Sequence, residues 1–213
     1  MYPDLLPADF WFLLRLVPVT LGITGGSMVL GSLLGIPLAA LSLSRFRGLR
    51  SMAHGYLLLF RNTPVLMQLF FAFFGLPLLR VNVTALAAAM TVLTLNTAGF
   101  MSEIYVAGVR SVHAHQIEAA VSLALTTLER LRHVVLPQAV RVMIPPSVGY
   151  LTTLVKNSAL ASTIGFLEIA RAGRMITERT GEGFVVFGFV GVLYFLICYP
   201  FTVLSRRLER RAR

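Results

Sequence analysis

Three stretches of this chain are too long and too apolar to belong to a water-soluble domain. Residues 16–44, 81–102 and 183–205 contain no charged side chain. An α-helix needs about 20 mostly apolar residues to cross the hydrocarbon of a bilayer, and each stretch meets that length. Charged residues make up 13% of the sequence, which is about half the share in a soluble domain. The sequence therefore predicts an integral membrane protein.

Because backbone polar groups must find partners inside lipid, we predict an all-α integral membrane fold. Five transmembrane helices are expected, with the N-terminus outside and the C-terminus in the cytoplasm. They run from Pro18 to Ser44, from Thr63 to Leu79, from Thr84 to Val109, from Pro137 onward with a break or kink between Gln138 and Ala161, and from Phe184 to Leu204. Residues 1–17 are assigned to an N-terminal periplasmic or interfacial segment, and residues 18–213 to the transmembrane domain. Met52–Phe60 is placed at the cytoplasmic interface, before a kink or restart at Pro64.

The distribution of arginine supports this orientation. The net charge is +10, with eighteen Arg and a single Lys, but no soluble basic domain is present to bind nucleic acid. Cytoplasmic loops of membrane proteins carry an excess of Lys and Arg. The arginines placed inside are Arg45, Arg47, Arg50, Arg110, Arg130, Arg132, Arg206, Arg207, Arg210, Arg211 and Arg213. They outnumber those placed outside, which are Arg80, Arg171, Arg174 and Arg179.

The longest polar interval lies between the third and fourth predicted spans, within residues 110–137. Its middle, Gln116 to Val135, contains no Pro or Gly, and its composition favours helix. We predict two short helices outside the bilayer. Such an insert provides a surface for another protein, or it is an amphipathic interfacial helix without a partner. A second polar interval, residues 166–183, is predicted to form an external cap of one short helix and a Gly-bounded turn.

Several kinds of chemistry have no basis in this sequence. No G-x-x-x-x-G-K-[ST] loop is present to bind ATP, and His113 and His115 form a poor metal pair with no carboxylate beside them. No Ser/His/Asp set accompanies a plausible cavity. The single cysteine, Cys198, can form no intrachain disulfide. We therefore predict no catalytic site, no metal site and no cofactor in this chain.

The polar insert carries a family motif. It consists of Glu118, Ala119 and Ala120, followed by Leu136 and Pro137. This pattern resembles the EAA loop in the membrane permease subunits of bacterial ATP-binding-cassette (ABC) importers. Ala124 stands where that family usually has Gly. An Ala in a left-handed helix terminus costs roughly 1 kcal/mol relative to Gly, so a displaced turn would account for the difference.

Two further segments resemble the polar amino-acid branch of that family. Phe60-Arg61-Asn62-Thr63-Pro64, with Gln68-Leu69-Phe70-Phe71 after it, is similar to the signature F-R-[GN]-T-P-x-x-x-Q-L-F-F. Residues 156–165 resemble the stretch K-[DN]-[TS]-S-L-A-x-x-I-G, with Ala159 in place of the usual Ser. The F-R-N-T-P segment is the more specific of these motifs, because importers of other substrates mostly lack it.

The resemblance implies a permease subunit of an ATP-driven importer in the bacterial inner membrane. The expected partners are a second permease subunit, alike or different, two ATPase subunits that bind ATP and Mg²⁺, and an extracytoplasmic solute-binding protein. The expected cargo is a polar amino acid. The residues expected to couple to the ATPase are Glu118, Ala119, Ala120, Ala124, Leu136 and Pro137. The alternatives are an importer permease for another small solute, or a membrane scaffold or channel without ATP coupling.

Polar side chains inside the predicted spans are the candidates for substrate binding: Gln68, Asn96, Gly99, Glu103, Thr153, Lys156 and Asn157. Asn96, Gly99 and Glu103 share one helical face. An intramembrane charge costs at least about 2.5 kcal/mol unless it is paired or hydrated, so Glu103 needs a partner. That partner is either a cationic group of the substrate, or Arg61 or Lys156 in a structural ion pair. Lys156, the only lysine, either attracts a carboxylate or pairs with Glu103.

Overall fold

The computed structural model describes residues 4–212, and every regular element in that range is helical. The α-helices are α1 (Pro7–Arg15), α2 (Val17–Ser42), α3 (Arg47–Asn62), α4 (Val65–Phe70), α5 (Ala85–Arg110), α6 (Ala114–Ser122), α7 (Thr127–Arg130), α8 (Leu136–Ser158), α9 (Ile169–Thr180) and α10 (Gly183–Ala212). A π-helical turn (Phe71–Gly75) and a 3-10 turn (Leu76–Leu79) extend α4, a π-helical turn (Leu131–Val135) joins α7 to α8, and a 3-10 turn (Ala159–Ile164) follows α8. The prediction of an all-α fold is confirmed over these residues. Met1–Pro3 and Arg213, which belong to the predicted N-terminal segment and arginine tail, lie outside the described residues.

Among the described helices, three segments are long and apolar enough to cross a membrane. They are Pro7–Ser42, which combines α1 and α2, then α5, and Gly183–Arg211 of α10. The bent pair of α3 and the segment Val65–Leu79 makes a fourth if it forms one span. The predicted fourth helix, α8, has 23 residues but is not among them, because charged residues and prolines lower its hydropathy. By length and composition, the described helices thus provide three or four candidate spans, whereas the sequence predicted five.

The span containing Pro64 is broken where the sequence predicted a kink or restart. The helices on either side of Thr63 and Pro64 meet at an angle of 98°. Thr63 is extended, with φ −95° and ψ 130°, as expected for a residue before proline. The first half differs from the prediction, since α3 begins at Arg47 rather than near Met52. Arg47 therefore lies in a helix, and α2 ends earlier, at Ser42.

Helix α8 is continuous, so the predicted break at Pro145 and Pro146 is absent. Both prolines lie inside the helix, which runs unbroken to Ser158. Proline removes a backbone donor from a helix, but neighbouring side chains and packing can hold the geometry. The Ser205 hydroxyl of α10 donates to the Pro145 carbonyl at 2.9 Å. This bond joins α8 to α10, but it does not replace the donors that the prolines remove from the carbonyls of Arg141 and Val142. The irregular backbone instead follows the helix, in the 3-10 turn Ala159–Ile164.

Close packing of α2 on α5 forms the centre of the helix bundle. A Cβ atom added at Gly31 would lie 2.5 Å from the Thr97 side chain, and one at Gly35 would lie 2.9 Å from the Met101 Cβ. Small residues at such a crossing allow two backbones to approach closely. Tyr150 of α8 completes the buried cluster around these helices. A separate buried cluster joins α1, α9 and α10.

Candidate functional site

The break between α3 and α4 leaves a backbone oxygen without its helical donor. Pro64 has no N–H, so the carbonyl of Phe60, four residues earlier, loses the hydrogen bond that a continuous helix would supply. Two side-chain amides replace it. Gln68 Nε2 donates to the Phe60 oxygen at 2.9 Å and to the Thr63 oxygen at 2.8 Å, and Asn96 Nδ2 donates to the Phe60 oxygen at 2.8 Å.

Asn96 is held from its other side as well. Its Oδ1 accepts a hydrogen bond from the Tyr150 hydroxyl of α8 at 3.3 Å, and the Tyr150 ring stacks on Phe100 at 4.9 Å between centroids. Asn96 is buried. Two of the predicted substrate residues, Gln68 and Asn96, therefore have their amide donors engaged with the backbone of the broken span.

The partner of Glu103 is Arg61. The two side chains form an ion pair between α5 and α3. Glu103 has 45% of its side-chain surface exposed, and Arg61 has 30%. The Arg61 guanidinium carbon also lies 4.6 Å from the centroid of the Phe100 ring, within the range of a cation–π contact. Gly99 makes room for the arginine, since a Cβ there would be 3.3 Å from Arg61 Cγ. Of the two structural partners considered for Glu103, the structure selects Arg61.

A cavity of about 320 Å³ opens beside this pair, at the break. It is lined by Arg61, Asn62, Thr63, Pro64, Val65, Asn96, Phe100 and Asn157. The structure thus brings Asn96 and Asn157 to one cavity. Gln68 donates to the Thr63 carbonyl, and Gly99 and Glu103 contact Arg61, so all three adjoin residues that line the cavity. Thr153 and Lys156 are exposed on α8 and do not line it. Within residues 4–212, Lys156 forms no salt bridge, so it is not the partner of Glu103.

The predicted polar insert forms the two short helices α6 and α7 between α5 and α8. The Glu118 side chain of α6 is 70% exposed and lies 3.2 Å from His115 Nδ1. The prediction that no carboxylate lies beside His115 was therefore wrong, because one helical turn brings residues 115 and 118 together. Ala119 is exposed, whereas Ala120 is buried. Of the two small residues in the motif, only Ala119 is available to a partner. Leu136 and Pro137, at the start of α8, are also exposed.

The end of α6 has the turn that Gly usually forms, at Ala124 itself. Ala124 has φ +54°, so the turn is not displaced. Leu125 N donates to the Ala120 oxygen at 3.2 Å and Ala124 N donates to the Val121 oxygen at 2.9 Å. This pair of hydrogen bonds is a Schellman motif with its left-handed residue at position 124. The insert therefore ends α6 with a strained alanine in a left-handed turn.

The second insert helix, α7, is fixed by a capping box. Thr126 N donates to Glu129 Oε2 at 2.8 Å, and Glu129 N donates to Thr126 Oγ1 at 3.3 Å. The Thr126 hydroxyl also donates to Glu129 Oε2, at 2.7 Å. These hydrogen bonds, from the hydroxyl and then from the backbone, lower the pKa of Glu129. A small cluster that includes Val112, Val135 and Met143 anchors both ends of the insert to α5 and α8.

The segment 166–183 contains a buried carboxylate that the sequence did not single out. Glu168 is 0% exposed and caps the N-terminus of α9, where Arg171 N donates to its Oε1 at 3.0 Å. The Tyr194 hydroxyl donates to Oε2 at 2.5 Å and that of Thr20 does so at 3.5 Å. Burial raises the pKa of Glu168, and these hydrogen bonds oppose the rise. As predicted, this segment is a helix followed by a glycine turn, at Gly181 with φ +73°.

Two features of the site were missed from the sequence. The role of the Phe60 carbonyl follows from Pro64 four residues later, and that spacing was the available signal. The contact between Tyr150 and Asn96 had no such signal, because it joins residues 54 positions apart. Within residues 4–212, no group of His, Cys, Asp and Glu side chains could hold a metal ion.

Comparison with known protein families gives one match over most of the chain. Residues 31–213 match the model of the family described as binding-protein-dependent transport system inner membrane component. Among curated relatives, the arginine transport system permease protein ArtQ of Bacillus subtilis is 32% identical over 203 residues, which cover 95% of this chain and 93% of that protein. The octopine transport system permease protein OccM of Rhizobium radiobacter is 36% identical and covers 98% of this chain and 91% of that one.

Solved structures show the same arrangement of helices. A chain from the crystal structure of an amino acid ABC transporter with histidines superimposes with a TM-score of 0.91 at 29% identity, covering 99% of this chain and 100% of that chain. A chain of the MetNI methionine ABC transporter in an inward-facing conformation superimposes with a TM-score of 0.83 at 23% identity, over 98% of this chain and all of that one. The second likeness shows the fold alone.

Proposed function

The chain belongs to the family of binding-protein-dependent transport system inner membrane components, and from that premise we propose that it is the permease of an ABC importer for a polar amino acid. It is a multi-pass protein of the bacterial inner membrane. It has no ATPase of its own, because nucleotide is bound by separate ATPase subunits in such systems. The names of its relatives support the cargo, since they include permeases for arginine, glutamine and octopine.

The observation that carries this proposal is the exposed helix α6. It projects between α5 and α8, and its Glu118 side chain is open to a partner. We assign Glu118, Ala119, Leu136 and Pro137 to the contact with the ATPase, and Ala120 and Ala124 to the shape of the insert. When ATP draws two ATPase subunits together, the α6 helices would move and the spans would reorient.

The proposed topology has five spans, with the N-terminus outside and the insert in the cytoplasm. Helix α8 supplies the span that hydropathy alone does not identify. At 1.5 Å per residue its 23 residues extend about 35 Å, which exceeds the hydrocarbon thickness. Its polar residues Thr153 and Lys156 lie on the exposed surface of α8, which a second permease subunit would cover. A second permease subunit, alike or different, would complete the path, and an extracytoplasmic binding protein would meet the segment 166–183.

The substrate would pass the cavity at the broken span. Asn96 and Asn157 line it, while Thr153 and Lys156 lie on the exposed surface of α8 that a second subunit would enclose. Three residues adjoin the lining without forming it. Gln68 fixes the Phe60 carbonyl, whereas Glu103 and Gly99 fix the position of Arg61. The Asn157 amide, which lines the cavity, and the Lys156 ammonium group suit the carboxylate of an amino acid.

Uptake of labelled amino acids by vesicles that contain the whole complex tests the proposal. Glu118→Lys should abolish uptake while the subunit still inserts, because the reversed charge would oppose docking of the ATPase. Gln116→Lys is the matched control, since it adds a positive charge to the same helix outside the motif. Normal uptake by Glu118→Lys would remove the coupling claim. A scaffold or channel would retain its activity after deletion of residues 116–124, whereas an importer would lose its ATPase.

A further inference from the structure

The ion pair between Arg61 and Glu103 separates two cavities. Arg61 lines the cavity of about 320 Å³ at the broken span. Glu103 lines a second cavity, of about 510 Å³, between the end of α2 and the facing sides of α3 and α5. A volume of this size lies within the range of small-molecule sites. In the proposed topology, the second cavity is on the cytoplasmic side of the pair.

The walls of the second cavity are built from two helical faces. On α3, Arg50, His54 and Leu57 line it, at spacings of four and three residues. On α5, Glu103, Ala107 and Arg110 line it, at spacings of four and three. These spacings put each set on one side of its helix. The helices are antiparallel, because Arg61 meets Glu103 at one end whereas Arg50 and Arg110 share the other.

The cavity carries an excess of positive charge. The charge of Glu103 is balanced by Arg61. Neither Arg50 nor Arg110 forms a salt bridge within the described residues, although both line the same space. Ser42 also lines it, and among residues 4–212 its enclosed hydroxyl oxygen has no hydrogen-bond partner. Two guanidinium groups and a free hydroxyl form a set of donors without an acceptor.

We propose that this second cavity binds the carboxylate of an amino acid from the cytoplasmic side. Arg50 and Arg110 hold the carboxylate, because guanidinium groups form the strongest pairs with planar anions. Ser42 donates a further hydrogen bond, since its enclosed hydroxyl has no other partner among the described residues. The inference rests on the proposed function, which supplies the amino acid. It adds a site, since the cavity at the broken span is separated from this one by the Arg61–Glu103 pair.

A labelling experiment on the intact complex of permease and ATPase tests the site. The permease carries Ala107→Cys as a reporter in the cavity wall and Cys198→Ala to remove the native thiol. The complex is placed in nanodiscs of phosphatidylcholine, and a water-soluble maleimide is added with L-glutamine, L-arginine or L-glutamate. Each amino acid is compared with its α-carboxamide, which lacks the carboxylate. A parallel sample contains phosphatidylglycerol and no amino acid.

At least one amino acid should slow the labelling of the reporter thiol in the Ala107→Cys variant to a saturating minimum, and its α-carboxamide should not. Arg50→Gln or Arg110→Gln should raise the concentration for half-protection by about tenfold, as expected for loss of one charge-assisted hydrogen bond. Arg47→Gln, a control on the same helix that does not line the cavity, should leave that concentration unchanged.

Three results would overturn the site: no protection by any amino acid, equal protection by the carboxamides, or protection by phosphatidylglycerol in place of the amino acids. The first two comparisons need no arginine substitution, so they stand even if those variants fail to insert. Uptake by sealed vesicles that contain the same complex tests the proposed function separately. Uptake without protection removes only the second site, whereas absence of uptake removes the proposed function.

Discussion

Arg61 and Glu103 form an ion pair between the broken span and α5, and the guanidinium group of Arg61 also lies 4.6 Å from the Phe100 centroid. Both side chains are partly exposed, and ion pairs in such surroundings contribute at most about 1 kcal/mol to stability. The pair therefore matters chiefly because it positions the two side chains, and less because it stabilises the fold. It keeps a carboxylate in α5 from standing alone, and it fixes Arg61 at the edge of the cavity.

The ion pair can be tested by reversing it. We expect Glu103→Gln to lower uptake about fivefold, which corresponds to about 1 kcal/mol, because Arg61 loses its partner. The double variant Arg61→Glu/Glu103→Arg should recover most of that loss. Uptake in vesicles is the measurement, with Glu209→Gln in the exposed tail as the control. Failure of the double variant to recover would mean that Glu103 contacts the substrate directly.

The left-handed alanine at the end of α6 provides a second prediction. Ala124→Gly should stabilise the insert by about 1 kcal/mol, because Gly adopts positive φ without the steric cost that Ala incurs. Amide hydrogen exchange in residues 114–125 should slow by about fivefold. Ala119→Gly is the opposite control, since it puts Gly inside the helix and should speed exchange. Faster exchange in Ala124→Gly would contradict the strain assigned to this turn.

The buried carboxylate of Glu168 predicts a dependence of stability on pH. Burial raises the pKa of Glu168 above the ordinary value of 4.5 for a glutamate, so the folded state holds this proton more tightly than the unfolded state does. Stability from the group is fully present below about pH 4.5 and is lost as the pH rises through the folded pKa. The melting temperature of the parent protein should therefore fall relative to that of Glu168→Gln as the pH increases above 4.5.

Thermal unfolding of the two proteins between pH 4 and 8 measures this difference directly. The difference between their melting temperatures cancels the effects of other titrating groups, because both proteins contain those groups. Glu178→Gln, an exposed glutamate of the same helix α9, should give a curve parallel to that of the parent. A constant gap between the parent and Glu168→Gln across this range would show that Glu168 does not titrate there.

The contact between α2 and α5 predicts a difference between two glycines of one helix. Gly31→Ala should destabilise the fold by about 1–3 kcal/mol, the usual effect of overpacking, because its Cβ would lie 2.5 Å from Thr97. Gly22→Ala should be neutral or slightly stabilising, since a Cβ there meets nothing within 4 Å and Ala favours helix. Melting temperatures in one detergent compare the two variants. Equal melting temperatures would show that α2 can move away from α5.

Local features of the fold could be predicted from the sequence because they depend on adjacent residues. The break at Pro64 follows from a missing N–H, and the limits of α5 follow from a mostly apolar stretch between Thr84 and Arg110. Of the break or kink predicted at Pro145 and Pro146, the break was wrong, because α8 continues as one helix from Leu136 to Ser158. A sequence records the prolines and does not record that Ser205, sixty residues away, donates to the Pro145 carbonyl.

The candidate site shows the same limit. Helical periodicity placed Asn96 and Glu103 on one face, but it left both Arg61 and Lys156 as structural partners for Glu103. The choice depends on how far α3 and α8 are displaced along α5, which no pattern within one helix specifies. For Gln68 and Asn96, polarity inside a span suggested substrate binding, whereas the structure places both amides on the Phe60 carbonyl.

That shared carbonyl has a mechanical consequence. One oxygen of α3 accepts from Gln68, on the far side of the break, and from Asn96, on a different helix. If the 98° angle opens or closes, the oxygen must shift against at least one of the two amides. The bend and α5 are thus mechanically coupled, so a displacement of one is transmitted to the other through a single acceptor atom, the Phe60 oxygen.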